Sequence, residues 1–393
     1  MILNKLIYPA IIFLIATFLP QCESQTQEPI RIGATMSLSG AYSTQGIPAH
    51  NGYLLCAEDI NARGGLLNRP VEFIIYDDKS DSQTAIELYE KLITEDQVDA
   101  VMGPYGSTLT EAVAPVTEKY RMIHISPLAA TTSIWEKNRE YLFMVLPPAE
   151  LFLAGLIDMA QTNGLSNVAV IHENVLFPAA AASGAIQKVH DLGMNLVLSE
   201  EYPSGTSDFT PLLKRIKEND TQVLAMAASS LSNFIAVVQQ MKANDISVAM
   251  FGTSGAVNEF QQVLGDDAEY AYGLSAWEPG LTTPGIESFV TGYQSRFDIE
   301  PSFHAAGAYG SCQLFEEAVT RANSLDSDDI KEELLKMELT TVFGDFKVDE
   351  RGYQIANKGL FIQWQDGKKV IVWPDDIAEL QARFPTPLWQ ERQ

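Results

Sequence analysis
Short apolar runs alternate along this chain with longer stretches whose apolar residues recur every three or four positions. The run Ile30-Arg31-Ile32-Gly33-Ala34-Thr35-Met36 reads as a buried strand, and Ser37-Leu38-Ser39-Gly40 as the turn that ends it. A helix follows over 47–62, where Tyr53, Leu54, Ala57 and Ile60 share one face and Gly64-Gly65 stops the pattern. The strand Val71-Glu72-Phe73-Ile74-Ile75-Tyr76 ends at Asp77-Asp78, and Asp81 is placed to cap a helix over 82–95. The strand at Ala100, a helix after Ser107 and the strand at 122–126 complete a first α/β unit. The alternation predicts βαβ connections and a parallel sheet.

The pattern restarts after 141–148. Helices over 150–163, 179–191, 208–218 and 233–243 alternate with strands at 168–172, 196–198, 223–226 and 248–251, and a short helix over 257–264 closes the set. Then come a strand at 272–277, helical stretches at 285–297, 305–323 and 328–337, and β segments at 343–348, 360–364 and 370–373. At 393 residues, two domains are the natural division. The first unit supplies about 115 residues and the closing segment has too few strands to fold alone. The economical layout interleaves them: lobe one from 29–147 plus 272–356, lobe two from 148–271 plus 357–393. Two doubly wound, Rossmann-like lobes joined by three hinge crossings would face each other across a cleft at their strand ends.

Within that layout one stretch stands out. In Ala100-Val101-Met102-Gly103-Pro104-Tyr105-Gly106-Ser107-Thr108 a strand ends in a glycine-rich turn and a helix begins at once. Such a junction aims unpaired backbone N–H groups and the positive end of a helix dipole at whatever lies in the turn. A second turn, Ser126-Pro127-Leu128-Ala129-Ala130-Thr131-Thr132, would lie beside it and make one wall of a ligand cleft. Tyr105, Phe177, Tyr272, Trp277 and Tyr309 are aromatic candidates for the lining, each equally at home in a core.

Charge narrows the partners. Acidic residues outnumber basic ones 51 to 26, for a net charge of −25. A nucleic-acid partner would need a basic face, so that class is excluded. The five histidines are scattered without metal-ligand spacing, and no P-loop, dinucleotide fingerprint or Gly-x-Ser-x-Gly elbow occurs, so neither a metal nor a cofactor is expected. Asp77-Asp78 reads as a pair that caps or salt-bridges a neighbouring helix rather than as a catalytic dyad, because adjacent strand residues point to opposite faces. Asn219-Asp220-Thr221 forms a chance glycosylation sequon. The N-terminus has the shape of a secretory leader: Lys5, an apolar run from Leu6 to Leu19, then Leu19-Pro20-Gln21-Cys22 before a polar linker. Its end is similar to a bacterial lipobox, which would make residues 1–22 the leader and Cys22 a lipidated terminus; Gln21 departs from the small residue that motif wants. With that segment removed, Cys56 and Cys312 remain in helical stretches and read as buried small hydrophobes.

Taken together, Gly33-Ala34-Thr35-Met36-Ser37-Leu38-Ser39-Gly40, the run Ala57-Glu58-Asp59-Ile60-Asn61-Ala62-Arg63-Gly64-Gly65-Leu66, the Tyr76-Asp77-Asp78 strand end and Ser126-Pro127-Leu128-Ala129-Ala130-Thr131 resemble the type I periplasmic binding proteins that feed branched-chain amino acid ABC transporters. The resemblance covers the chain after residue 29. It implies an exported, non-catalytic protein in the periplasm or on the extracytoplasmic membrane surface, closing over a small polar ligand and handing it to a permease; the alternatives are a ligand-sensing domain of a signalling system, which uses the same fold, and an exported α/β hydrolase, which would turn its ligand over. A lipid at Cys22 would be its membrane contact. Carried over by position, Ser107 would hold a ligand carboxylate, and its turn neighbours Tyr105 and Gly106 are placed to contact the ligand. Ala129 and Thr131 would add contacts once an inserted Leu128 is allowed for, and Gln45 would sit against the ligand; Trp277 is counted with these ligand contacts as an aromatic candidate for the lining. The second lobe departs from the pattern. Where the family has a glutamate for the ligand's ammonium, this chain has Ser254 in Gly252-Thr253-Ser254-Gly255; Phe177 and Ser229 replace two usual tyrosines. The carboxylate half of an amino acid site is kept and the ammonium half lost, unless Glu173 or Glu278 approaches from elsewhere.

Overall fold
A computed structural model describes residues 28–392. The leader and Cys22 lie outside the described residues. The elements in chain order are β1 (Ile30–Met36), α1 (Ser43–Ala62), β2 (Val71–Asp77), α2 (Ser82–Thr94), β3 (Ala100–Met102), α3 (Ser107–Lys119), β4 (His124–Ser126) and β5 (Leu142–Met144). They continue with α4 (Ala154–Thr162), β6 (Asn167–Glu173), α5 (Leu176–Asp191), β7 (Asn195–Tyr202), α6 (Thr210–Glu218), β8 (Val223–Ala227), α7 (Leu231–Ala243), β9 (Met250–Thr253) and α8 (Asn258–Leu264). The remainder is β10 (Tyr272–Ser275), α9 (Ile286–Phe297), α10 (Phe303–Ala322), α11 (Ser327–Lys336), β11 (Leu339–Thr341), β12 (Gly344–Phe346), β13 (Leu360–Gln365) and β14 (Lys368–Trp373).

Two sheets organise these elements. The first has the order β2-β1-β3-β4-β5, all parallel. The second has the order β14-β13-β10-β9-β8-β6-β7, parallel from β10 to β7 with an antiparallel hairpin at the other edge. Central strands are apolar on both faces, as sheets covered by helices on each side require: β3 and β8 are buried at every position. The sequence pattern starts the second segment of lobe one at Tyr272. The structure differs there, because β10 pairs with β9 and β13 inside the second sheet. The chain therefore leaves the second sheet after Ser275, and crosses also after Met144 and between Gln354 and Leu360.

Each sheet is wound both ways from an inner strand. In the first, β1 has β2 on one side and β3 on the other; in the second, β6 has β7 on one side and β8 on the other. Loops at such a reversal turn apart and leave a crevice at the carboxyl ends of the strands, where ligands bind in open α/β sheets. The loops after β1, β3, β6 and β8 are thus the ones to watch.

Two adjacent carboxylates fix the loop at the first lobe's crevice. Asp78 is fully buried and accepts from the hydroxyls of Thr35 and Ser37 at 2.9 and 2.6 Å and from the Ser80 amide. Asp77 accepts from the amides of Leu38, Ser39 and Lys79. The pair pins the loop after β1 and caps no helix, a correction to the sequence reading. Burial comes first for Asp78 and holds its carboxyl above the usual range. For Asp77 burial also pushes upward, but the Ser39 hydroxyl and the three amides together outweigh it and hold the carboxyl below that range.

The cysteines are the second correction. Cys56 on α1 and Cys312 on α10 are buried as expected, yet they are joined in a disulfide across a Cα–Cα distance of 6.4 Å. Sequence spacing hides the pair, since 256 residues separate the two. Helix contact brings them together: a Cβ on Gly52 would lie 2.3 Å from the Ala305 carbonyl oxygen, so only glycine lets α1 and α10 approach this closely.

Candidate functional site
The loops at the two reversals meet in one cleft of about 780 Å3 between the sheets. Tyr42, Gln45, Tyr105, Gly106, Ser107 and Thr108 line its first-lobe wall. Phe177, Ala228, Ser229, Leu231 and Ser254 line the second. None of the lining residues is Lys, Arg, Asp or Glu.

The first wall is built around the start of α3. Gly106 caps the helix at φ +83°, a left-handed conformation that a side chain would strain, and no side chain caps the helix. The amides of the first turn therefore have no partner within the helix and face the cleft beside Ser107. Gly103 at φ +81° passes so close to β1 that a Cβ would meet the Thr35 carbonyl oxygen at 2.7 Å. The fully buried His124 ring fixes the same turn, with Nε2 2.5 Å from the Gly103 carbonyl and Nδ1 3.3 Å from the Thr117 hydroxyl. Burial lowers its pKa to about 4, so the ring is neutral at physiological pH.

Ser107 joins the two turns. Its Oγ accepts from the Ala130 amide at 3.1 Å and the Thr131 amide at 3.3 Å, and the Gly106 amide donates to the Leu128 carbonyl at 3.1 Å. That arrangement puts Leu128, the inserted residue, on the cleft surface. Ala129 and Thr131 lie behind it, fully or almost fully buried, and neither lines the cleft. Trp277 is also absent from the lining: it is buried and its indole N–H donates to the Val342 carbonyl at 2.9 Å. Tyr309 donates to Asp59 at 2.6 Å, and the Tyr272 hydroxyl reaches the Arg383 carbonyl, so both serve the packing of their own lobes.

Several cleft residues gave no local signal in the sequence. Tyr42 packs on Tyr105 with ring centroids 5.4 Å apart, and His304 lies on the other side of Tyr105 at 5.6 Å. Phe303 and His304 begin α10, far along the chain from the loops they face; only their place in the first turn of a helix pointing at the cleft marks them. His304 is buried and its Nδ1 has no hydrogen-bond partner among the described residues; the same holds for Oε1 of Gln45. Burial also keeps His304 neutral, with its pKa lowered to about 3. On the far wall Phe152 meets Phe177 edge to face at 5.0 Å.

The second wall holds serines tied to the protein's own framework. Ser254 Oγ accepts from the Ala228 amide at 3.2 Å. Ser229 donates its amide to Glu173 Oε2 at 2.9 Å. Glu278 is paired with Lys369 at 2.8 Å, beyond the lining. Neither Ser107 nor Ser254 hydrogen-bonds a histidine among the described residues, so the arrangement offers positioned amides in an apolar, aromatic enclosure. It can bind an anionic group at α3 and surround an apolar body.

Comparison with known proteins agrees with this geometry. Residues 29–369 match the family described as periplasmic binding protein. The chain is 24% identical over 376 residues to the Leu/Ile/Val-binding protein homolog 7 of Brucella suis, covering 91% of this chain and 94% of that one. It is similar in fold to the LivJ substrate-binding protein of Streptococcus pneumoniae solved with isoleucine, with a TM-score of 0.79 at 22% identity over 91% of this chain and 100% of that one. An ABC transporter solute-binding protein of R. palustris solved with benzoate gives a TM-score of 0.78 at 17% identity, covering 88% and 96%. With its two sheets, three crossings and interlobe cleft, the chain belongs to the type I periplasmic binding protein family.

Proposed function
We propose that this protein is an exported solute-binding component of an ABC transporter that encloses a small carboxylate-bearing molecule with an apolar or aromatic body, without transforming it. The observation that carries the reading is the uncapped start of α3, opening into a cleft where both sheets reverse. Anion binding there needs no basic side chain, and none lines the cleft. The ligand would meet the α3 amides, Ser107 and Gln45 first; closure would add Phe177, Ser229 and Ser254 and exclude water. The relatives span the same chemistry, since one neighbour was solved with isoleucine and another with benzoate. Export is supported by the leader-like N-terminus and by the Cys56–Cys312 disulfide, because such bonds persist in oxidising compartments. Lipidation at Cys22 belongs to the same proposal.

The test is mass spectrometry of the small molecules released when the purified protein is unfolded, followed by calorimetry of the stripped protein with the molecule found. The reading expects one carboxylate bound per chain and recovered intact. A ligand recovered as hydrolysed products, or binding of carboxylates no tighter than of unrelated solutes, would overturn it.

A further inference from the structure
The two lobes are also joined away from the cleft lining, by charged side chains to which ligand binding gives no role. Glu278 lies just past the crossing that follows Ser275. On either side of it the chain is fastened to lobe one: the Trp277 indole N–H and the Thr283 hydroxyl donate to the Val342 carbonyl at 2.9 and 2.7 Å. Val342 is held in turn to α10, its amide donating to the Gln313 side-chain oxygen at 3.0 Å. Glu278 therefore moves with lobe one. Lys369 belongs to β14, the edge strand of the second sheet, and moves with lobe two. Its Nζ donates to Glu278 Oε1 at 2.8 Å, and the two side chains are only 13% and 7% exposed.

A second link lies close by. Asn258, the first residue of α8, donates from Nδ2 to Glu300 Oε2 at 3.3 Å, and Glu300 stands just ahead of α10 in lobe one. Glu278, Lys369, Asn258 and Glu300 line one polar crevice. It adjoins the cleft, since Val257 and Phe303, their near neighbours in the chain, line the cleft itself. Neither Glu278 nor Lys369 does.

An ion pair between two bodies acts differently from one inside a single body. While the pair is formed, both groups have given up most of their water, and their mutual attraction offsets that loss. Rotation of the lobes about the crossings parts the pair and returns water to both. Removing one charge while the lobes stay together leaves the other buried and uncompensated, a cost that opening relieves. The closed arrangement thus depends on both charges being present.

We infer that Glu278 and Lys369 form an interlobe latch: they are positioning residues that favour the closed arrangement from outside the cleft, whatever the ligand is. Apparent affinity follows the fraction of molecules able to close, so the latch tunes binding without touching the ligand.

Small-angle X-ray scattering of the stripped protein, with no ligand added, tests this once each profile is resolved into closed and open forms. Lys369→Met should lower the ratio of closed to open form at least about tenfold and enlarge the radius of gyration. Lys369→Arg, which keeps the charge, should retain the wild-type shape. The exchange of Glu278→Lys with Lys369→Glu should restore most of the closed form that Lys369→Glu alone loses. Thermal unfolding is followed alongside, because a pair that serves only packing would lower stability and leave the shape unchanged. Should Lys369→Met not fold, Glu278→Asp, which draws the carboxylate back from Lys369, reads the same shift. An unchanged shape in that variant, or an exchange no more closed than Lys369→Glu alone, would overturn the inference and leave the carboxylate reading standing.

Discussion

Ser107 shows how one hydroxyl serves fold and site together. Its oxygen holds the Ala130 and Thr131 amides, which are buried and have no other acceptor in their turn. Ser107→Ala should therefore cost about 1–3 kcal/mol of stability in denaturant unfolding and also loosen the turn that faces the ligand. Unchanged stability would show that the two amides find other partners. His124 makes a second prediction, with a sign. Its pKa falls from an unfolded value of 6.5 to about 4 in the folded protein, so the unfolded chain binds the proton better. Its contribution is complete above about pH 6.5 and drains away as the pH falls towards 4, by roughly 3 kcal/mol in all. The Tm of His124→Gln should fall less than that of the wild type over this window; parallel curves would contradict the assignment. At this scale the sequence showed Ser107 because a hydroxyl at a glycine-led helix start has a local signature. It did not show Tyr42 and His304 as neighbours of Tyr105, because no spacing relates residues brought together from separate parts of the chain. Thr131 and Trp277 were misplaced for a related reason: Leu128, though buried, takes the cleft-lining place in its turn, and the indole N–H donates to the Val342 carbonyl within the core.

Elements were legible wherever a periodic apolar face was long. The helices at α2, α6 and α11 follow their sequence patterns closely, and Asp81 caps α2 by accepting from the Thr84 amide at 2.8 Å. The misses lie where tertiary contacts outweigh local preference. The helix expected over 150–163 is split, with a 3-10 turn at Ala149–Leu151 and α4 starting at Ala154, because the chain is crossing between lobes there. The strand expected at 343–348 is found, shortened to β12, as the second arm of a tight hairpin whose first arm, β11, was not expected. The disulfide was out of reach of any pattern, since it depends on α1 and α10 packing side by side. It joins residues 256 apart in the chain, and Cys312→Ser with Cys56→Ser should lower stability by about 2–5 kcal/mol. A reductant should then shift the Tm of the wild type and leave the double variant unmoved. Equal response of both proteins would mean that the bond does not form in solution.

At the scale of the whole molecule, two doubly wound sheets place their reversals face to face, and everything proposed about binding follows from that. The alternation of strands and helices made the two units legible, and the weak closing segment made the interleaving legible. The position of β10 was not, because Tyr272–Ser275 reads the same whichever sheet it joins. Closure would draw the start of α5 towards α3, so that the anion on α3 is shielded from water and its amides become worth more than they are in the open cleft. The central claim is that backbone amides at α3 hold a carboxylate. The most direct measurement is the thermal shift of stripped protein with small carboxylates set against their uncharged primary amides. The account predicts stabilisation by the acids that is at least several-fold stronger in apparent affinity than by their amides, and a greater loss of it in Ser107→Pro than in Ser107→Ala, because both lose the hydroxyl and only the first also loses an amide of that first turn. Equal stabilisation by acids and amides, or none by any acid, would contradict it.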